Sequence, residues 1–272
     1  MSARVLVVKL GGELIEASAS RDRLAHSLAS IARTRPVVVV HGGGRAIDAE
    51  LDRRGVAPRK VDGLRVTDAA TLDAVISVLA GAANTALVAS LVSHGVRAVG
   101  LTGVDAGFAR ATRALPLLST SGDLVDLGLV GDPVDADPAL VDLLLSRGYV
   151  PVVASLGLDH PGGAGVLNVN ADVMACRLAA ALGADELIIC GTTAGVLDAR
   201  GRSIARLDAA GIDRLIASGT ANAGMVTKLR ACLRAIEDGV GIVRVVDGRA
   251  LGTDLDAAPG TTLSAALQEL AN

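Results

Sequence analysis

Val5-Leu6-Val7-Val8-Lys9-Leu10-Gly11-Gly12 and Val37-Val38-Val39-Val40-His41-Gly42-Gly43-Gly44 decide the fold. In each, an unbroken apolar run meets glycines. Runs this short that do not alternate with polar residues fit strands buried on both faces, as in a parallel sheet. Similar runs recur at Val96–Leu101, Val150–Ala154, Glu186–Cys190 and Ile242–Val246. Between them lie helical patterns over Asp22–Arg33, Ala46–Arg54, Ala70–His94, Pro138–Arg147, Asp172–Leu182, Asp208–Ala217 and Met225–Glu237. Alternating strands and helices predict an α/β fold with a mainly parallel sheet. Only Arg110–Asp132 breaks the rhythm, and the turn residues Ser119-Thr120-Ser121-Gly122-Asp123 predict an inserted β-hairpin and loop there.

Composition narrows the function. Hydrophobic residues make up 51% of the 272-residue chain but aromatics only 1%, so the core is built from Val, Leu, Ile and Ala. A formal charge of -3 gives no basic field for nucleic acid, and Phe108 and Tyr149 are too few to form a stacking platform. No nucleic-acid partner is expected. No apolar run is read as reaching the roughly 20 residues that span a bilayer, and the Met1-Ser2-Ala3-Arg4 start lacks a signal peptide's apolar region, so a cytoplasmic protein without a membrane partner is expected. Cys176, Cys190 and Cys232 show no metal-binding or redox spacing and read as buried thiols.

The chain writes arginine almost everywhere, and its three lysines, Lys9, Lys60 and Lys228, lie near glycines. A compact ammonium suits a point contact with phosphate oxygens better than a planar guanidinium. Glycines after consecutive parallel strands let the backbone approach a ligand, and the N–H groups of the next helix favour an anion. Each glycine turn alone serves equally well as a tight βα turn. His41 reads either as a base or as a structural hydrogen-bonding group. No Gly-Lys pair, and hence no Walker A loop, occurs, nor does a G-x-G-x-x-G open the first helix. Phosphoryl transfer needs chiefly positioning and charge neutralisation, which lysines and a backbone cradle can supply.

Lys9-Leu10-Gly11-Gly12, His41-Gly42-Gly43-Gly44, Gly63-Leu64-Arg65-Val66-Thr67-Asp68, Asp126-Leu127-Gly128-Leu129-Val130-Gly131, Asn168-Val169-Asn170-Ala171-Asp172 and Gly224-Met225-Val226-Thr227-Lys228 follow one another in an order and approximate spacing that resembles acetylglutamate kinases, members of the amino-acid kinase family. The resemblance spans about residues 4–262. It implies an open, mainly parallel eight-stranded sheet sandwiched between helices. It also implies an N-terminal lobe, residues 1–175, for the acyl amino acid and dimerisation, and a C-terminal lobe, residues 176–272, for ATP. The implied reaction is phosphorylation of the γ-carboxylate of N-acetyl-L-glutamate by ATP, with Mg2+ carried on the nucleotide and no metal site of the protein's own.

Carried over by residue, the resemblance makes Lys9, Lys228 and Asp172 catalytic, with Asp172 holding the two lysines. Gly11, Gly12, Thr192 and Lys228 would bind the nucleotide, and Gly43, Gly44, Arg65 and Asn168 the acyl amino acid, with the glycines as backbone donors, Arg65 on the α-carboxylate and Lys60 as an accessory. Asp172 also reads as a charge at a helix N-terminus, and Arg65 as a surface ion-pair partner. No acidic partner for Arg65 is evident, so the acetylated substrate should be preferred to a free ammonium. A carboxylate acceptor is already ionised at neutral pH and needs no general base.

The chain departs from the family pattern at Gly191-Thr192-Thr193, where an acidic residue is usual, at Asn84-Thr85, and at Leu129. Two other readings stand beside the first: a kinase for carrier-protein-linked glutamate or aminoadipate, and a non-catalytic family member that binds amino acid or nucleotide. Arginine-inhibited relatives add an N-terminal helix and a His- and Glu-bearing C-terminal segment. Met1-Ser2-Ala3 and Leu251-Gly252-Thr253-Asp254-Leu255 offer neither, so an arginine-insensitive homodimer is the expectation.

Overall fold

The computed structural model describes residues 5–119, 121–160, 165–221, 223–252 and 258–264. Thr120, Met1-Ser2-Ala3 and Thr253-Asp254-Leu255 lie outside them. The strands Leu6–Leu10 and Val37–His41 pair in parallel at the centre of an eight-stranded sheet. Outward from Leu6–Leu10 come Glu186–Gly191, Ile242–Asp247, Gly260–Leu263 and Arg206–Leu207; outward from Val37–His41 come Val150–Ala154 and Ala98–Thr102. Only the Ile242–Asp247 and Gly260–Leu263 pair is antiparallel. The open, mainly parallel sheet is therefore as expected.

The unalternating runs are explained by burial on both faces. Val7, Val38 and Val40 enter one core with Met174, Leu178 and Leu229. Leu6, Val8, Leu10, Val37 and Val39 enter a second core with Leu24, Leu28, Leu87 and Leu91. Helices Ala171–Ala181 and Ala223–Glu237 cover the first face, and Ser18–Ala32 and Asn84–Ser93 the second. A third core joins helices Gly44–Arg53 and Ala69–Ile76 to Ala154 and Leu156.

Three features differ from the sequence reading. The expected hairpin is present, Leu117–Leu118 against Leu124–Val125, but its flanks are also strands. Ala109–Arg113 and Val130–Ala136 close a four-stranded barrel with Leu156–Asp159 and Val166–Val169. Their partners are distant in sequence, and Gly131 and Gly157 pack on Ala111 where side chains would clash, so local pattern does not reveal them.

The predicted Ala70–His94 helix runs from Ala69 to Ser93 with a π-helical stretch at Ser77–Ala83. By length and composition alone this run could cross a bilayer, contrary to the sequence reading. Val75, Leu79, Leu87 and Leu91 nevertheless anchor it in two cores. Finally, the short strands Arg206–Leu207 and Gly260–Leu263 carry too few apolar residues to stand out as buried runs.

Candidate active site

Parallel pairing aligns the carboxyl ends of the central strands, with Leu10 beside His41 on one side and Cys190 on the other. The glycine turns that follow meet backbone to backbone. A Cβ on Gly12 would lie 2.7 Å from Gly43 Cα, and one on Gly43 would lie 2.9 Å from Leu79. This close approach is the physical reason for glycine in both turns. The first N–H groups of helix Gly44–Arg53 are those that an α-helix leaves unpaired, and they open toward an anion. Gly11 differs from its expected role as a donor, because its N–H donates to Cys190 O at 3.1 Å and so serves the turn.

Lys9 leaves the strand end beneath these turns. Its Nζ lies 2.8 Å from Asp172 Oδ1, while Lys228 Nζ reaches 3.9 Å from Oδ2 of the same carboxylate. All three side chains are nearly buried. The 2.8 Å contact is close enough for an ion pair but poorly aligned for a hydrogen bond. Burial pushes the Lys9 pKa down, yet the Asp172 charge outweighs it, and the net shift is upward. For Asp172 burial pushes upward, and Lys9 and then Lys228 bring the carboxyl below its usual range. Lys9 and Asp172 are therefore charged together at neutral pH. Asn170 fixes the acid by capping helix Ala171–Ala181, its side chain accepting from Asp172 N at 2.9 Å and Val173 N at 3.2 Å.

A cavity of about 220 Å3 is lined by Gly43, Gly44, Lys60, Arg65, Leu79 and Asn168, among others, and its wall runs on to Asn170 and Ala171, just before Asp172. Asp62 and Gly63, with φ of 49° and 83°, turn the hairpin that puts Lys60 opposite Arg65. Gly63 faces Gly224 at the start of the Lys228 helix, which brings the two motifs together. Arg65 Nη2 donates to Gly44 O at 3.0 Å and lies 2.6 Å from Asp48. Asn168 Nδ2 donates to Thr67 Oγ1 at 3.1 Å.

Asp48 corrects the expectation that Arg65 has no acidic partner. It also pairs with Lys60 at 2.6 Å. The sequence offered only an acid early in a helix that follows a glycine turn, which is common on surfaces.

His41 is resolved between its two readings. It is fully buried, Asn84 Nδ2 donates to its Nε2 at 3.0 Å, and its Nδ1 donates to Gly42 O at 3.1 Å. Burial lowers its pKa to about 4 despite the Gly42 hydrogen bond, so it is neutral and fully engaged. It holds the turn and is not a base.

The strands, the paired glycine turns and the two lysines on one aspartate all lie within a stretch that matches a recognised family. Its profile, that of the amino acid kinase family, matches residues 4–247. This chain belongs to the amino acid kinase family. Within it the chain stands with the acetylglutamate kinases. The acetylglutamate kinase of Symbiobacterium thermophilum is 41% identical over 255 residues, covering 91% of this chain and 85% of that one. The acetylglutamate kinase of Solibacter usitatus is 44% identical over 248 residues, covering 91% and 92%.

Solved structures at lower identity share the amino acid kinase fold. An N-acetylglutamate synthase from Neisseria gonorrhoeae, complexed with coenzyme A and N-acetyl-glutamate, matches with a TM-score of 0.79 at 23% identity. The match covers 96% of this chain but 59% of the synthase. Carbamate kinase from Giardia lamblia bound to AMP-PNP matches with a TM-score of 0.68 at 12% identity, covering 97% and 99%.

As an amino acid kinase the chain uses ATP, and its departure at Gly191-Thr192-Thr193 bears on where the nucleotide lies. Lys228 Nζ stands 3.9 Å from where a Gly191 Cβ would be. Thr192 is exposed, and its carbonyl accepts from Arg249 Nη2 at 2.8 Å. An acid is nonetheless close by. Asp247 pairs in register with Gly191 on the adjacent strand, and hydrogen bonds from Arg249 hold its carboxyl below the usual range against partial burial.

Proposed function

We propose that Lys9 and Lys228 flank the phosphoryl group as it passes from ATP to the side-chain carboxylate of N-acetyl-L-glutamate. The observation that carries this is the pair of lysines converging on Asp172, at the end of a run Asn168–Ala171 that lines a cavity together with Arg65. Two fixed ammonium groups offset the charge that spreads over the transferring oxygens, and the buried setting strengthens them. Asp172 holds the two lysines between its oxygens. The acceptor is ionised before it binds, so the transfer needs no general base. Arg65 takes the α-carboxylate, Asn168 adds a polar contact, and the N–H groups at Gly43 and Gly44 orient the reacting carboxylate. Gly12, Thr192 and Lys228 lie on the nucleotide side.

Mg2+ would neutralise charge on the ATP phosphates. Asp172 does not fit as its ligand, because both carboxylate oxygens face lysines, and Asp247 is clasped by Arg249. The ion therefore travels on the phosphates, and no step depends on a protein-held metal.

Two lobes share the central sheet, with the acyl amino acid in residues 1–175 and ATP in residues 176–272. The division falls inside helix Ala171–Ala181, so it is a boundary of role and no linker separates the lobes. A cytoplasmic homodimer suits a chain whose Ala98–Thr102 strand lies at a sheet edge, beside the long apolar helix with an exposed Val92.

Trapping of acyl phosphate as a hydroxamate tests the substrate. N-acetylglutamate with Mg-ATP should give strong product and free glutamate little, whereas equal product from both would overturn the choice.

A further inference from the structure

Asp48 lies in helix Gly44–Arg53 and is absent from the cavity wall, whereas both of its cationic partners, Lys60 and Arg65, line the cavity. Those partners are directly opposed on a two-residue hairpin. Like charges in that position repel. Asp48 stands between them, 2.6 Å from Lys60 Nζ through Oδ2 and 2.6 Å from Arg65 Nη2 through Oδ1. It thereby ties the hairpin to the helix that begins at the Gly43-Gly44 turn.

Arg65 Nη2 donates to Gly44 O and pairs by charge with Asp48 Oδ1, while Nη1 is buried and has no hydrogen-bond partner among the described residues. An unpaired buried donor of a charged group is costly to leave unmade, so Nη1 is the group that gains most from a carboxylate in the cavity. The trio of Lys60, Arg65 and Asp48 carries one net positive charge, which matches a single carboxylate.

We propose that Asp48 is a positioning residue that determines acyl-amino-acid binding, holding Lys60 and Arg65 so that the Nη1 side of Arg65 is left for the α-carboxylate of the substrate. This rests on the reading of Arg65 given above. Burial raises the Asp48 pKa, but the hydrogen bond from Lys60 and the charges of Arg65 and Lys60 bring it below the usual carboxylate range, so the anchor stays ionised. Because both oxygens are turned to cations, Asp48 does not attract the ammonium of a free amino acid into the cavity.

The test is a double-mutant cycle read in steady-state kinetics. Asp48→Ala should raise KM for N-acetylglutamate by about ten-fold or more while KM for ATP stays within about two-fold, as befits a lost charge-assisted anchor. In an Arg65→Ala background the same change should add less than about two-fold, since there is no fork left to position. Asp48→Asn keeps an acceptor oxygen and should fall between wild type and Asp48→Ala, which also guards against an alanine variant that fails to fold. An unchanged KM for N-acetylglutamate in both Asp48 variants, or a full additional effect in the Arg65→Ala background, would overturn the proposal. A normal KM for N-acetylglutamate in Arg65→Ala itself would instead overturn the underlying assignment of Arg65.

Discussion

Among single residues, the chemistry rests on charges that burial makes strong and neighbours keep ionised. Lys9 and Asp172 shift in opposite directions because each stabilises the charged form of the other. Asp172, with its pKa depressed on folding, contributes stability above its unfolded pKa, and this is lost as pH falls through the folded value. His41 works in the other sense. Its pKa falls from 6.5 to about 4, so the unfolded chain binds the extra proton between those values and stability rises with pH across that window. The shift corresponds to about 3 kcal/mol lost on going from neutral pH to pH 4. Urea unfolding of wild type and His41→Asn at pH 7 and pH 4.5 should show a shallower pH dependence in the variant; equal slopes would contradict the assignment. Arg65→Ala should raise KM for N-acetylglutamate steeply, by about ten-fold or more, with little change in KM for ATP. The lysines were legible because the chain otherwise writes arginine, and Arg65 and Asp172 because they lie in motifs that resemble those of a known family. Asp48 was not, since it meets Lys60 and Arg65 only across the fold, and neither was the place of Asp247 beside Gly191, which strand pairing sets.

Among elements, two glycine turns and one capped helix set the geometry. Gly12→Ala would push a methyl to 2.7 Å from Gly43 Cα, where backbone must move on both sides. Activity should fall by at least about ten-fold, as expected when positioning of reacting groups is lost, and more than thermal stability suggests; a fully active Gly12→Ala enzyme would contradict the close approach. Asn170→Ala removes the cap that seats Asp172, and a loss of about 1 kcal/mol in urea unfolding is expected. Strand and helix order could be read from the sequence because buried parallel strands leave unbroken apolar runs. The four-stranded barrel could not, because Ala109–Arg113 and Val166–Val169 are short, and glycine and alanine fill their tight contacts.

Across the whole molecule, one sheet joins the Lys9 and Lys228 sides, and the Gly63–Gly224 contact brings the two motifs face to face. Sedimentation should give a particle of about twice the 27.2 kDa chain mass, since the sheet edge and apolar helix favour a second copy; a monomer at micromolar concentration would contradict the homodimer. Two lysines held by one aspartate should stabilise the phosphoryl group in transit more than they bind either substrate. Single-turnover transfer from ATP to saturating N-acetylglutamate in the Lys9→Arg and Lys228→Arg variants tests it most directly. Rates should fall by about 10²–10³-fold, with substrate affinities nearly unchanged, because a guanidinium cannot replace a compact ammonium at these positions. Near-normal transfer rates in both variants would contradict it.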